Sequence, residues 1–126
     1  MKFQPDTFLG TNAITRLDGA AVWVNGERRD GGLLVPWKGA VMPWDARSPG
    51  QLLAAHFDPV LCLKPELVIF GSGARLHFVS PALFRVLIEA RIGVETMDTA
   101  AACRTFNVLA AEGRSVLAAL LPVDAA

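Results

Sequence analysis

The chain has 126 residues, with twelve Lys and Arg against twelve Asp and Glu, 52% apolar residues and 19% charged ones. That length fits one domain, and the apolar share is enough to bury a core, which excludes a disordered chain. Balanced charge without a basic run argues against a nucleic-acid or anionic-membrane partner. The longest apolar run, residues 116–123 interrupted by Pro122, is far short of the ~20 residues needed to insert across a bilayer.

In chain order, residues 1–11 are read as an extended segment, 12–122 as a single α/β domain and 123–126 as a tail. Behind Lys2 there is no apolar stretch of the kind a secretory signal needs, so a cytoplasmic protein is expected. Ala20, Ala21, Val22, Trp23 and Val24 read as a strand, and Asn25-Gly26 is a strong hairpin turn. Leu33, Leu34 and Val35 are the expected partner strand, ended by Pro36, and residues 51–57 suit two helical turns that Pro59 stops. This half reads as a small β layer.

From Glu66 the rhythm becomes strand, helix, strand, helix, strand. Leu67, Val68, Ile69 and Phe70 form a continuous apolar run, as in a strand covered on both faces. Ser80-Pro81 starts a helix whose apolar face is Leu83, Val86, Leu87 and Ala90, and Gly93 is expected to close it. Residues 94–97 make a short strand. Asp98 or Thr99 caps a second helix running to Glu112, with Gly113 just past its end, and residues 116–121 are the last strand. The expected fold is therefore α/β: a central mixed, mostly parallel sheet from a βαβαβ C-terminal half with flanking helices.

The loop Gly71-Ser72-Gly73 after the first of these strands invites a nucleotide-binding reading. The dinucleotide fingerprint fails at its third glycine, where Leu76 stands, and the next helix starts only at Ser80, so no helix terminus faces the glycines. No Gly-Lys-Ser/Thr is present for a P-loop. A nucleophile elbow at Ser72 would want glycines where Phe70 and Ala74 stand, and His77 has no marked orienting acid. No cofactor and no metal are expected. Cys62 and Cys103, in separate segments, read as reduced and mostly buried thiols. Gly73 or Gly71 is expected to adopt a positive φ at a structural turn.

Several polar residues gather near the carboxyl edge of the parallel strands, where open α/β sheets bind ligands. Asp98 is explained by capping, and Glu95 is expected to pair with Arg75 or Arg104. Thr105 and Asn107 are poor helix formers in mid-helix, a local break without an evident structural gain. Gly71, Ser72, Gly73, Arg75, Glu95 and Thr105 are taken as one candidate cleft for a ligand or partner.

The stretches "PELVIFGSG" (65–73) and "GVETMDTAAACRTFNVLAAEGRSVLAALLP" (93–122), with "VWVNGE" and "LVPW" more loosely, resemble the domain of unknown function 498 family. Its Gly-x-Gly loop usually reads Gly-Thr-Gly, and Ser72 keeps a hydroxyl there. The resemblance implies a single α/β domain with a mixed sheet and a small β layer. It also implies a role like that of the family's respiratory complex I assembly factor, with no established reaction. The resulting expectation is a non-enzymatic protein-binding module, chaperone-like in the assembly of a larger complex, with an unidentified protein partner and room for a homo-oligomer. The alternative is a small-molecule-binding protein or an enzyme with a cleft near Ser72 and Glu95.

Overall fold

Every side chain of the strand Val116–Leu120 is buried, which requires cover on both faces and a neighbour on each edge. The computed structural model, which describes residues 10–123, provides both. The segment expected at 1–11 and the tail expected at 123–126 lie almost wholly outside the described residues.

The chain first forms a three-stranded antiparallel meander of β1 (Ile14–Asp18), β2 (Ala21–Val24) and β3 (Glu27–Asp30). The five remaining strands, β4 (Gly32–Pro36), β5 (Met42–Trp44), β6 (Leu67–Gly71), β7 (Gly93–Met97) and β8 (Val116–Leu120), make a mixed sheet in the order β5-β4-β8-β6-β7. β8, β6 and β7 run parallel, while β4 is antiparallel to both β8 and β5. This is the α/β fold, with its small β layer, that the sequence suggested.

The hairpin is resolved differently from the expectation. Asn25 and Gly26 both take positive φ, 54° and 83°, as a type I′ turn demands, but the partner is the all-polar β3. Leu33, Leu34 and Val35 lie instead in β4 and pair with β8, because a strand buried on both faces belongs inside the large sheet.

Period-two alternation divides the apolar residues between two cores. Val116, Ala118, Leu120 and Ile69 face one side, where they meet α3 (Thr99–Ala111) and the meander residues Ile14, Val22 and Val24. Leu117, Ala119, Val68 and Phe70 face the other, under a layer of short helices. That layer comprises turns of 3-10 helix at Ala54–Phe57 and Pro81–Phe84, α1 (Asp58–Leu63) and α2 (Arg85–Glu89). Trp44, Phe57, Phe70 and Phe84 meet edge to face there, with centroids 5.1 Å apart for Phe57 and Phe84.

Two helix boundaries also differ from the expectation. Pro59 is the second residue of α1 and stands in its first turn, where its missing N–H costs nothing, so it stops no helix. The helix after Ser80 opens as a 3-10 turn and ends at Glu89, with Arg91 just past its cap supplying the left-handed residue at φ 62°, so Gly93 opens β7 instead. α3 follows its signals closely. Asp98 caps it by accepting from the Ala101 amide at 2.8 Å, and Gly113 ends it at φ 86°. Its buried residues Ala102, Phe106 and Ala110 recur every four positions and seat on the sheet.

Candidate functional site

The turn after β6 is held by a hydroxyl on each side. Thr99, fully buried at the start of α3, accepts from the Gly73 amide at 2.9 Å and donates to the Leu121 carbonyl at 2.7 Å. Its own amide donates to the Gly73 carbonyl, and the Leu121 amide to the Gly71 carbonyl, each at 2.9 Å. One residue thereby ties the carboxyl ends of β6 and β8 to the helix that follows β7. Gly73 has φ 104°, as the turn required. Gly71 is glycine for a different reason: a Cβ there would stand 3.0 Å from Thr99 Cα.

Ser72 is 3% exposed and its hydroxyl is fully engaged. Its Oγ donates to the Arg75 carbonyl at 2.7 Å and accepts from the His77 amide at 2.9 Å, while the Ser72 amide donates to the Met97 carbonyl at 2.8 Å. The amides of Ser72 and Gly73, which a phosphate cradle would present to its ligand, both donate into the protein instead.

Beside this turn opens a cleft of about 790 Å³. Gly73, Arg75 and His77 line one side, Arg47 and Gln51 belong to a second segment, and Pro122 follows β8. No Asp or Glu is among the described lining residues. The cleft thus opens at the carboxyl ends of the neighbouring parallel strands β6 and β8, the edge at which open α/β sheets bind ligands.

Of the six residues expected to form one cleft, the structure brings Ser72, Gly73 and Arg75 to it. Gly71 lies just behind them as the last residue of β6. Glu95 is exposed in mid-β7 opposite Ile69, is not among the cleft residues, and makes no ion pair with Arg75 or Arg104 among the described residues. Thr105 is half-buried two turns into α3, also away from the cleft. Arg47, Gln51 and Pro122 were not foreseen as lining residues, since only the folded chain brings them together.

Asn107 has a structural role the sequence did not reveal. Its side-chain amide accepts from the Ile14 amide and donates to the Ile14 carbonyl, both at 2.8 Å, fastening α3 to β1 as a strand neighbour would. The thiols divide as well. Cys103 is buried and burial pushes it from 9.0 up to about 12, against a smaller lowering by Arg104 and with a small further rise from Asp98. Cys62, expected to be mostly buried, is exposed on α1, a helix short enough to keep one face in water. Among the described residues no group of three or more His, Cys, Asp or Glu stands together, and no helix is long and apolar enough to cross a membrane.

Fold and cleft define a class: an α/β domain with an arginine-lined crevice at the carboxyl end of its parallel strands and a pinned Gly-Ser-Gly turn beside it. The chain belongs to the family described as Protein of unknown function (DUF498/DUF598), which it matches over residues 14–121. It is 37% identical over 85 residues to NADH dehydrogenase [ubiquinone] 1 alpha subcomplex assembly factor 3 of Bos taurus, a match covering 66% of this chain and 46% of that protein. The chain thus spans about half the length of that relative. A crystal structure from Bordetella parapertussis superposes with a TM-score of 0.84 at 36% identity, covering 90% of this chain and 97% of that one. A Mth938-like domain from Bordetella pertussis, solved by NMR, gives 0.81 at 31%, covering 98% and 94%.

Proposed function

We propose that this protein is a docking module that holds a protein partner during assembly of a larger complex, acting in the cytoplasm and without catalysis of its own. One observation carries the reading. Of the six large apolar side chains left exposed among the described residues, five (Leu53, Leu63, Leu76, Phe78 and Ile88) fall between residues 53 and 88. Apart from the strand β6, that segment is the helical layer over one face of the sheet together with the loop entering it, and its short helices pack on one another. Phe78 is 73% exposed. Exposed apolar groups concentrated in one layer are what a docking surface would present. The assembly-factor relatives point the same way, and the engagement of the Ser72 hydroxyl favours binding over chemistry at the turn.

The test is site-specific photo-crosslinking in the native cell, with the reactive residue at Phe78 or, on the far side of α3, at Glu112. Adducts to components of one multi-subunit complex are expected from position 78 and not from 112. Equal adducts from both positions, or none from 78, would remove the reading.

A further inference from the structure

The cleft and the apolar residues beside it belong to one short loop, and that loop is built to show both. Along residues 74–78, Ala74, Arg75 and His77 line the cleft, whereas Leu76 and Phe78 do not and are 53% and 73% exposed. The single hydroxyl of Ser72 takes the Arg75 carbonyl on one side of Leu76 and the His77 amide on the other. The backbone carrying this alternation is therefore fixed before any partner arrives, which lowers the ordering cost of binding.

The geometry points to a peptide-recognition site: the cleft takes the carboxylate of an acidic side chain on the partner, and Leu76 and Phe78 take an apolar neighbour of that residue. This rests on the docking reading above and names the partner's chemistry. Arg75 presents a guanidinium whose planar fork matches a carboxylate with two parallel hydrogen bonds. Arg75 lines the cleft beside His77 and is paired with no acid among the described residues, so its guanidinium is open to an incoming carboxylate. A phosphate group fits less well, because the Ser72 and Gly73 amides are already donated internally. The exposed Leu76 and Phe78 also give a free anion nothing to hold, whereas a peptide covers them.

The experiment is an NMR titration of the uniformly labelled protein with three probes. These are the acetylated and amidated tetrapeptide Leu-Glu-Glu-Phe, its Leu-Gln-Gln-Phe counterpart, and inorganic phosphate. The Glu tetrapeptide is expected to shift the amides of residues 72–78 and 47–51, and to bind roughly tenfold more tightly than the Gln form, as one charge-assisted pair warrants. R75E removes that preference, and because Arg75 is exposed the variant is expected to melt like the wild type. F78S weakens both tetrapeptides alike. The inference is overturned by equal binding of the Glu and Gln forms, by an unchanged preference in R75E, or by the absence of shifts at 72–78. It is equally overturned if phosphate binds at the same amides more tightly than the Glu tetrapeptide, which would make the cleft a small-anion site. If crosslinks from position 78 persist while the tetrapeptides fail, the carboxylate specificity falls and the docking function stands.

Discussion

Replacing Thr99 with valine keeps the shape of the side chain and removes the group that joins three elements. The hydroxyl accepts from the Gly73 amide and donates to the Leu121 carbonyl, at 2.9 and 2.7 Å. Thr99 and Leu121 are both fully buried, so bulk water cannot replace either bond. Each buried partner left unpaired costs about 1–3 kcal/mol. A methyl group at the hydroxyl position also stands closer to the Leu121 oxygen than carbon and oxygen tolerate. T99V is therefore expected to lose about 2–4 kcal/mol, toward the upper half of what single substitutions do. T99S keeps the hydroxyl, gives up one buried methyl group, and is expected to lose only about 1 kcal/mol. Urea unfolding followed by tryptophan fluorescence measures both, with the slope of the transition unchanged if the denatured state is unaltered. If T99V unfolds within about 1 kcal/mol of the wild type, or if T99S is as damaged as T99V, the hydroxyl is not what ties the strand ends together.

G73V places a β-branched residue at φ 104°, where the nearest atom to its Cβ is the Pro122 oxygen at 3.6 Å. The loss, on the order of 1–3 kcal/mol in a thermal melt, then comes from backbone strain and not from crowding; a variant that melts like the wild type would show that the turn relaxes freely. Calorimetry with NAD, FAD, ATP and GTP is expected to show no binding at low micromolar concentration, since the turn's two amides are engaged; binding of any one of them would contradict this. Iodoacetamide at neutral pH should label Cys62 at an ordinary rate and Cys103 only on unfolding. Because the Cys103 thiol titrates higher in the folded chain than in the unfolded one, it leaves stability unchanged below pH 9 and lowers it as pH rises from 9 toward about 12. Replacing Cys103 with alanine should flatten that alkaline decline, which urea midpoints across the range would show.

The second half of the chain was legible because its signals are local. Asp98 and Gly113 bracket α3, and β6 and β8 are continuous apolar runs whose burial the sequence itself implies. β3 was missed because Glu27, Arg28, Arg29 and Asp30 carry no apolar period. The outer face of its pairing is held by Trp23, stacked between Arg16 at 4.6 Å and Arg28 at 5.4 Å, and not by burial of its own residues. β4 was assigned to the nearest turn, although its unbroken apolar run is the mark of an interior strand. In the site, Ser72, Gly73 and Arg75 were found together because one loop carries them. Glu95 was placed at the strand end by sequence proximity, but the parallel register sets Met97 opposite Gly71 and Glu95 two residues further back. Thr105 lies six residues into α3, about 9 Å along the helix axis from its start. Arg47 reaches the cleft through a tertiary approach that no local pattern announces.

The position of β8 has a consequence for how the protein is made. This strand sits between β4 and β6 and is the only bridge between the antiparallel and parallel halves of the large sheet, yet it is the last of the described strands to leave the ribosome. Until residues 116–120 emerge, β4 and β6 each present an open edge with buried-type side chains on both faces, the kind of surface that aggregates or recruits a holdase. The large sheet therefore cannot close until β8 is available to pair with β4 on one edge and β6 on the other. Long-range pairing of this kind folds slowly, so closure of the large sheet around β8 is the step at which aggregation of the two open edges competes with folding.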